Sequence, residues 1–268
     1  MTQLMILSDY DGTLTSIAPT PQRATLSRRT RAILHRLSRT PGIRLGVISG
    51  RSLRDVKRFV GLPALLYAGN HGLELEGPGF SFVHPRAQAA RADLYRLAKR
   101  LRGVLRRVPG AWVEWKGLTF SLHWRAVRPS DQPLFYALAT RELQPLRQRG
   151  RIRVTHGKRV VEVRPAVDWG KGEAVQWFWH HLPTPRATPR PWVIYLGDDH
   201  TDEGAFHMTN RLGGISVLVG TPGHRTAATY GLRSPRLVPR WLTALSQRWR
   251  EQRRHDRRDL DGMDRSHS

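Results

Sequence analysis

Two acidic clusters, each directly after an apolar run, are the residues in this chain best suited to chemistry. Asp9 and Asp11 flank Tyr10 just past Leu4 to Leu7, and alternation along a strand points both carboxylates to one side before the chain turns off at Gly12. Two acids held together need a partner cation. Beside a divalent ion they can divide the work, one oxygen attacking phosphorus while the neighbouring carboxylate serves as general acid and then base. Read alone, DYDGT suits a calcium-loop fragment or a plain turn equally well. The second cluster is Gly197, Asp198 and Asp199, followed by Asp202 and Glu203, after the apolar run Trp192 to Leu196. One explanation is helix capping, because Asp199 or Thr201 can cap a helix that starts there and acids suit its positive end. The other is that Asp198 meets the first pair across adjacent strand ends and completes a hard oxygen site of the kind magnesium takes.

Between the clusters lie Ser49, on the turn Ser49, Gly50, Arg51, and Lys171, at the start of a helix in GKGEAV. Ser49 can bind a phosphoryl oxygen through its hydroxyl, and Lys171 can do so as a point charge aided by the helix N-terminus. Each alone is also ordinary, a turn serine and a first-turn lysine. Further along, alternation places Glu114 and Lys116 on one side of a strand, and Glu162 and Arg164 on one side of another. Such a face can grip hydroxyls, or it can be a solvent-facing sheet with cross-strand ion pairs.

These residues need elements to hold them. Leu4 to Ser8, Ile43 to Ile48 and Ala64 to Ala68 read as buried strands. Between them fall a helix from Ser27 to about Arg39 and another through Leu53, Val56 and Val60. That rhythm predicts an α/β fold with a doubly wound, mostly parallel sheet and chemistry at the carboxyl ends of its strands. Around Gly77 to Gly79 the pattern changes. A long amphipathic helix from about Arg86 to Val108 precedes a hairpin of Trp112 to Lys116 and Leu118 to Arg125. A helix over Gln132 to Arg149 and two alternating strands, Ile152 to Thr155 and Arg159 to Arg164, complete an inserted α+β module. The frame resumes with a helix from Gly170 to His181, strands Trp192 to Leu196 and Ile215 to Val219, a short helix after Thr201, and a closing helix Leu237 to Trp249. Leu182 to Pro191 is Pro-rich and reads as a loop. The expected division is 1–78 and 167–246 for the core, 79–166 for the insert, and 247–268 for a basic tail without regular structure.

With 39% apolar residues, nine tryptophans and seven phenylalanines, the chain has ample material for packed cores. The lack of cysteine excludes disulfides, thiolate zinc sites and a cysteine nucleophile, so any metal must sit on oxygen or imidazole. No segment approaches the roughly 20 apolar residues of a membrane helix, and the expectation is a soluble, cytoplasmic monomer with no membrane partner. The formal charge of +24 gives a positive field that draws phosphate-bearing ligands. The arginines are spread along the whole chain and no recognition-helix, RNP or zinc-finger pattern accompanies them, so no specific nucleic-acid partner is expected.

Taken in order, DYDGT, the strand-end SGR, WGKG and GDDxTDE resemble the motifs of haloacid dehalogenase phosphatases. YAGNHGLELEG, VEWKGLTFSLHWR, HGKRVVEVRP and GDDHTDEGAF narrow the resemblance to the trehalose-phosphatase family. The resemblance implies a mobile α+β cap inserted in the core and a Mg2+-dependent phosphatase acting on a small sugar phosphate, trehalose 6-phosphate. It further implies that Asp9 is the nucleophile and Asp11 the acid and base. Asp9, Asp198 and the Asp11 backbone carbonyl would hold the metal, Ser49 and Lys171 would bind the phosphoryl group, and Asp199 and Asp202 would support them. Asn70, His71, Glu114, Lys116, Arg125 and Glu162 become the expected sugar contacts. Sucrose 6-phosphate and mannosyl-3-phosphoglycerate are the rival substrates within the scaffold, and a basic nucleic-acid-binding protein with an inactive core is the rival from another class.

Overall fold

The structure, a computed structural model, describes residues 3–18, 20–157, 159–182, 190–221, 223 and 225–265, of which 255–265 by backbone alone. It divides into two compact units, Met1–Ser81 with Trp169–Ser268, and Phe82–Asp168. In chain order the larger unit holds β1 (Leu4–Ser8), α1 (Arg28–Ser38), β2 (Ile43–Ile48), α2 (Leu53–Val60), β3 (Leu66–Gly69) and β4 (Glu74–Gly77), and the division between the units falls within β5 (Phe80–Val83). The smaller holds α3 (Pro85–Val104), β6 (Trp112–Trp115), β7 (Phe120–His123), α4 (Gln132–Gln148), β8 (Ile152–Gly157) and β9 (Val160–Pro165). The larger unit then resumes with α5 (Lys171–His181), β10 (Trp192–Gly197), α6 (Glu203–Arg211), β11 (Ile215–Val219), β12 (Tyr230–Leu232) and α7 (Val238–Arg265).

The sheet of the larger unit runs β12-β11-β10-β1-β2-β3-β4-β5. It is parallel from β12 to β3 and turns antiparallel at β4. Its central strands are largely apolar, β1 being buried at every position, because both faces are covered. Alternation sorts the side chains. Leu4 and Ile6 of β1 and Ile194 and Leu196 of β10 join the core under α1, α2 and α7, through Leu34, Val56 and Leu242 among others. Tyr195, one step out of phase, meets Phe206 of α6 edge-on with ring centroids 5.8 Å apart. Local signals set the helix ends. Ser27 Oγ accepts the Thr30 N–H at 3.0 Å, Ser52 Oγ accepts that of Asp55 at 3.1 Å, and Gly61 closes α2 in the left-handed conformation. β1 sits where the winding reverses, with β2 on one side and β10 on the other, so the crevice beyond its carboxyl end is the switch point at which such sheets bind ligands.

The smaller unit is an antiparallel sheet, β6-β7-β9-β8, carrying α3 and α4. Val113, Phe120, Leu122, Val161 and Val163 form a core with Leu97, Leu101, Phe135 and Leu138 of the helices. Two sequence expectations change here. The Gly77 to Gly79 region makes a β4–β5 hairpin that extends the large sheet, which the short, glycine-bounded segments hid. Residues 247–265, expected as an irregular tail, continue α7, since their Arg, Gln, Glu and Leu are good helix formers. The Leu182 to Pro191 loop falls largely outside the described residues. Among the described residues no helix is long and apolar enough to cross a membrane.

Candidate active site

The ladder between β1 and β10 pairs Ser8 with Leu196, and the Asp9 N–H donates to the Leu196 carbonyl at 2.8 Å. This register sets Asp9 beside Gly197, so the two acidic clusters emerge from adjacent strand ends. Carboxylate oxygens of Asp9, Asp198 and Asp202 lie within 4.8 Å of one another. Lys171, the first residue of α5, reaches into the cluster. Its Nζ donates to Asp9 Oδ1 at 2.7 Å and to Asp202 Oδ1 at 2.8 Å, with its side chain only 3% exposed. The start of α5 is fixed by Glu173, whose carboxylate accepts the Gly170 N–H at 2.8 Å.

Asp202 is fully buried, and its role is visible in its bonds. Oδ1 accepts from Lys171 and from the Tyr195 hydroxyl at 2.6 Å, and Oδ2 accepts the N–H groups of Asp198 and Asp199 at 3.1 and 3.3 Å. Both oxygens are thereby committed to holding Lys171 and the Asp198 backbone. Asp199 caps the turn that precedes α6, accepting from the N–H and hydroxyl of Thr201 at 2.8 and 2.6 Å. The capping explanation thus holds for Asp199, while Asp198 stays with the cluster and accepts from the Thr13 hydroxyl at 3.5 Å.

Gly12 makes the approach possible. Its φ of +88° suits glycine, and a Cβ there would overlap the Asp198 carboxylate. The carboxylate of Asp11 departs from the simple alternation argument. The chain turns so that Asp11 faces Arg51 rather than the cluster, and Arg51 Nε and Nη2 donate to its two oxygens at 2.6 Å each. Ser49 is buried on the turn after β2, its Oγ accepting the Arg51 N–H at 3.2 Å. Asn70 and His71, expected as sugar contacts, are buried in the larger unit and brace that turn. The Asn70 and His71 N–H groups donate to the Arg51 and Ser49 carbonyls at 2.7 and 2.9 Å, and the Asn70 amide donates to Glu74 at 2.5 Å.

Two carboxylates share the Lys171 ammonium with Asp198 close by, and the titration behaviour follows. Burial pushes the Asp9 carboxyl well above the usual carboxylate range, with Lys171 opposing and Asp202, Asp198 and Asp11 adding to the rise. Burial works against the Lys171 ammonium, but Asp202 and Asp9 outweigh it and hold its pKa above the ordinary lysine value. Tyr195 is pushed up by burial and by Asp202, which keeps its hydroxyl a donor. A cluster of hard oxygens one ammonium cannot neutralise has the donor chemistry of a small divalent cation.

In the smaller unit, Glu114 and His123 meet at 2.8 Å, His123 stacks on Trp112, and Lys116 pairs with Glu162 at 3.3 Å. These are the cross-strand pairs the alternation allowed. Arg125 follows β7 and is exposed. Tyr195, Thr13 and Arg51 are the site residues that sequence reasoning left unassigned. Tyr195 was hidden in an apolar strand, whereas Thr13 and Arg51 stood inside the quoted motifs.

This fold is that of the haloacid dehalogenase-like hydrolases. One such hydrolase from Bacteroides thetaiotaomicron superposes with a TM-score of 0.64 over 91% of this chain and all of its own, at 16% identity. Within that class the chain belongs to the trehalose-phosphatase family, whose model matches residues 7–236. It is 37% identical over 245 residues to a trehalose-phosphate phosphatase of Mycobacterium marinum, covering 90% of this chain and 61% of that one. It superposes on the C-terminal domain of Candida albicans trehalose-6-phosphate phosphatase with a TM-score of 0.75 and 25% identity, covering 92% and 93% of the two chains. The chain spans about three fifths of the length of the first curated relatives it matches.

Proposed function

We propose that this chain is a Mg2+-dependent phosphatase that hydrolyses trehalose 6-phosphate to trehalose and phosphate, the last step of trehalose biosynthesis, acting as a cytoplasmic monomer. The observation that carries the reading is the buried contact of Lys171 with Asp9 and Asp202 beside Asp198, at the switch point of the sheet. An Asp9 oxygen attacks phosphorus as the bond to the sugar oxygen breaks, and Asp11 protonates that oxygen. Water, deprotonated by Asp11, then attacks the aspartyl-phosphate, releasing phosphate and regenerating the Asp9 carboxylate. Lys171 and Ser49 hold phosphoryl oxygens, and Asp202 orients Lys171 with help from Asp199 in shaping the loop. Asp9, Asp198 and the Asp11 carbonyl would hold magnesium, which supplies positive charge to the phosphoryl oxygens and keeps Asp9 ionised against burial.

The smaller unit, Phe82–Asp168, serves as the cap in this reading. Its polar strand face, with Glu114, Lys116 and Glu162, and Arg125 just beyond β7, binds the sugar hydroxyls. Asn70 and His71 contribute by bracing the Ser49 turn. Phosphate release from trehalose 6-phosphate, sucrose 6-phosphate and mannosyl-3-phosphoglycerate, with and without Mg2+, tests substrate and metal together. The trehalose ester is expected to turn over fastest, only with the metal, and not in Asp9→Asn; equal turnover of the other esters defeats the specificity, and an active Asp9→Asn defeats the nucleophile.

A further inference from the structure

Asp11 is held by neither burial nor the strand. It sits in the turn that Gly12 opens, where the Gly12 N–H donates to the Thr15 carbonyl at 2.8 Å, and its side chain is 40% exposed. Arg51 supplies the missing constraint. Its guanidinium, 9% exposed, donates through Nε and Nη2 to the two oxygens of Asp11 at 2.6 Å each, and Nη2 also donates to the Pro21 carbonyl at 2.8 Å. The flat group lies 4.6 Å from the Phe59 ring centroid and 5.1 Å from that of Tyr10. The Arg51 backbone is tied at both ends, its N–H to Ser49 Oγ and its carbonyl to the Asn70 N–H. A planar fork packed by aromatic rings and anchored on a braced turn fixes both the position and the plane of the carboxylate it grips, which a lysine cannot do.

We propose that Arg51 is a positioning residue for catalysis: it presents the Asp11 carboxylate in one orientation to the oxygen that leaves phosphorus and to the water that replaces it. This rests on the reading of Asp9 as nucleophile and Asp11 as acid and base. The alternative is a purely structural staple between the Asp11 turn and the Pro21 segment. The two differ in what they do to leaving groups. A sugar alkoxide needs a proton as it departs, whereas p-nitrophenolate leaves without one, so a displaced Asp11 slows the first chemical step for the sugar ester alone.

The test uses the full chain with Mg2+, carrying Arg51→Gln or Arg51→Lys, each alone and combined with Asp11→Asn. Rapid-quench measurements follow the first turnover of trehalose 6-phosphate and of p-nitrophenyl phosphate. Arg51→Gln is expected to lower kcat for the sugar ester about 100-fold with KM little changed, the cost of a catalytic group displaced by about 1 Å. It is expected to release the first equivalent of p-nitrophenolate at close to the parent rate, followed by a slow steady state as the aspartyl-phosphate waits for water. Added to Asp11→Asn, it is expected to cause no further loss, because the residue it positions is already disabled. Equal first-turnover losses on both esters, or the full loss repeated in the Asp11→Asn background, overturn the proposal in favour of the staple. If Arg51→Gln does not melt cooperatively, Arg51→Lys decides: loss of most of the sugar-ester rate supports the fixed orientation, and a parent-like rate overturns it. A parent enzyme whose phosphate release survives Asp9→Asn brings down the underlying reading, and that result is visible without any change at Arg51.

Discussion

Replacing Lys171 by Met is the sharpest physical test of the cluster. The substitution keeps an unbranched apolar stem of similar reach but removes the ammonium that lies 2.7 Å from Asp9 and 2.8 Å from Asp202. Asp9 is then 6% exposed and Asp202 0%, and neither keeps a cationic partner within the cluster. Removing one side of a buried ion pair costs about 3–5 kcal/mol, since the partner charge stays out of water. For a chain of this size that corresponds to a fall in Tm of roughly 6–20 °C. The pH dependence has a definite sign. The folded pKa of Asp9 lies above its unfolded value of about 3.9, so the folded state binds the proton more tightly and the burial penalty grows as pH rises from there. In the parent, Lys171 offsets this penalty. Its own folded pKa is raised, so its contribution is fully present below about pH 10.4 and is lost only as pH climbs through the folded value. The deficit of Lys171→Met is therefore expected to be smallest on the acid side and to grow with pH as Asp9 ionises. Thermal melts of both proteins, followed by circular dichroism in chelator as a function of pH, measure it. A deficit under about 1 kcal/mol at pH 7, or one that does not change with pH, refutes the claim that the ammonium neutralises the buried acids.

Two further substitutions probe the supports. Tyr195→Phe deletes the hydroxyl that donates to Asp202 at 2.6 Å, and urea unfolding is expected to show a loss of about 1.5–3 kcal/mol, typical of a bond to a charged group. Gly12→Ala places a Cβ against the Asp198 carboxylate at a φ of +88°, so a backbone cost of about 1–2 kcal/mol is expected together with weaker Mg2+ binding by calorimetry. Unchanged metal affinity in Gly12→Ala would show that Asp198 does not need its present place to bind.

Much of this arrangement was legible in the sequence because strand ends are legible. Apolar runs that stop at acids, a glycine that frees the turn, and a lysine opening a helix each carry a local signal, and their separate meanings converge once β1 and β10 are neighbours. What stayed hidden depends on pairing between distant segments. That Asp11 turns toward Arg51 follows from the path of the Gly12 turn and from the place of β2 next to β1, neither of which alternation along one strand can show. Tyr195 reads as one more apolar residue of β10 until the loop after that strand folds back and sets Asp202 against its hydroxyl. The burial of Asn70 and His71 likewise comes from positive φ angles at both residues, which thread the chain beneath the Ser49 turn.

The same charge count bears on how a phosphate ester enters. When ionised, Asp9, Asp198 and Asp202 bring three negative charges against the single positive charge of Lys171, while Arg51 and Asp11 cancel. A phosphate dianion therefore meets local repulsion, even though the chain as a whole carries +24 and draws anions toward it. A bound divalent cation brings the cluster to neutrality. Magnesium should thus govern anion binding as well as turnover. Titration calorimetry with inorganic phosphate is expected to show binding to the Mg2+-loaded protein at least about tenfold tighter than to the chelator-treated protein, a coupling of roughly 1.4 kcal/mol or more. By reciprocity, phosphate must tighten Mg2+ by the same factor. Equal phosphate affinity with and without the metal would mean that the three carboxylates do not face the anion, and that the overall positive field alone brings it in.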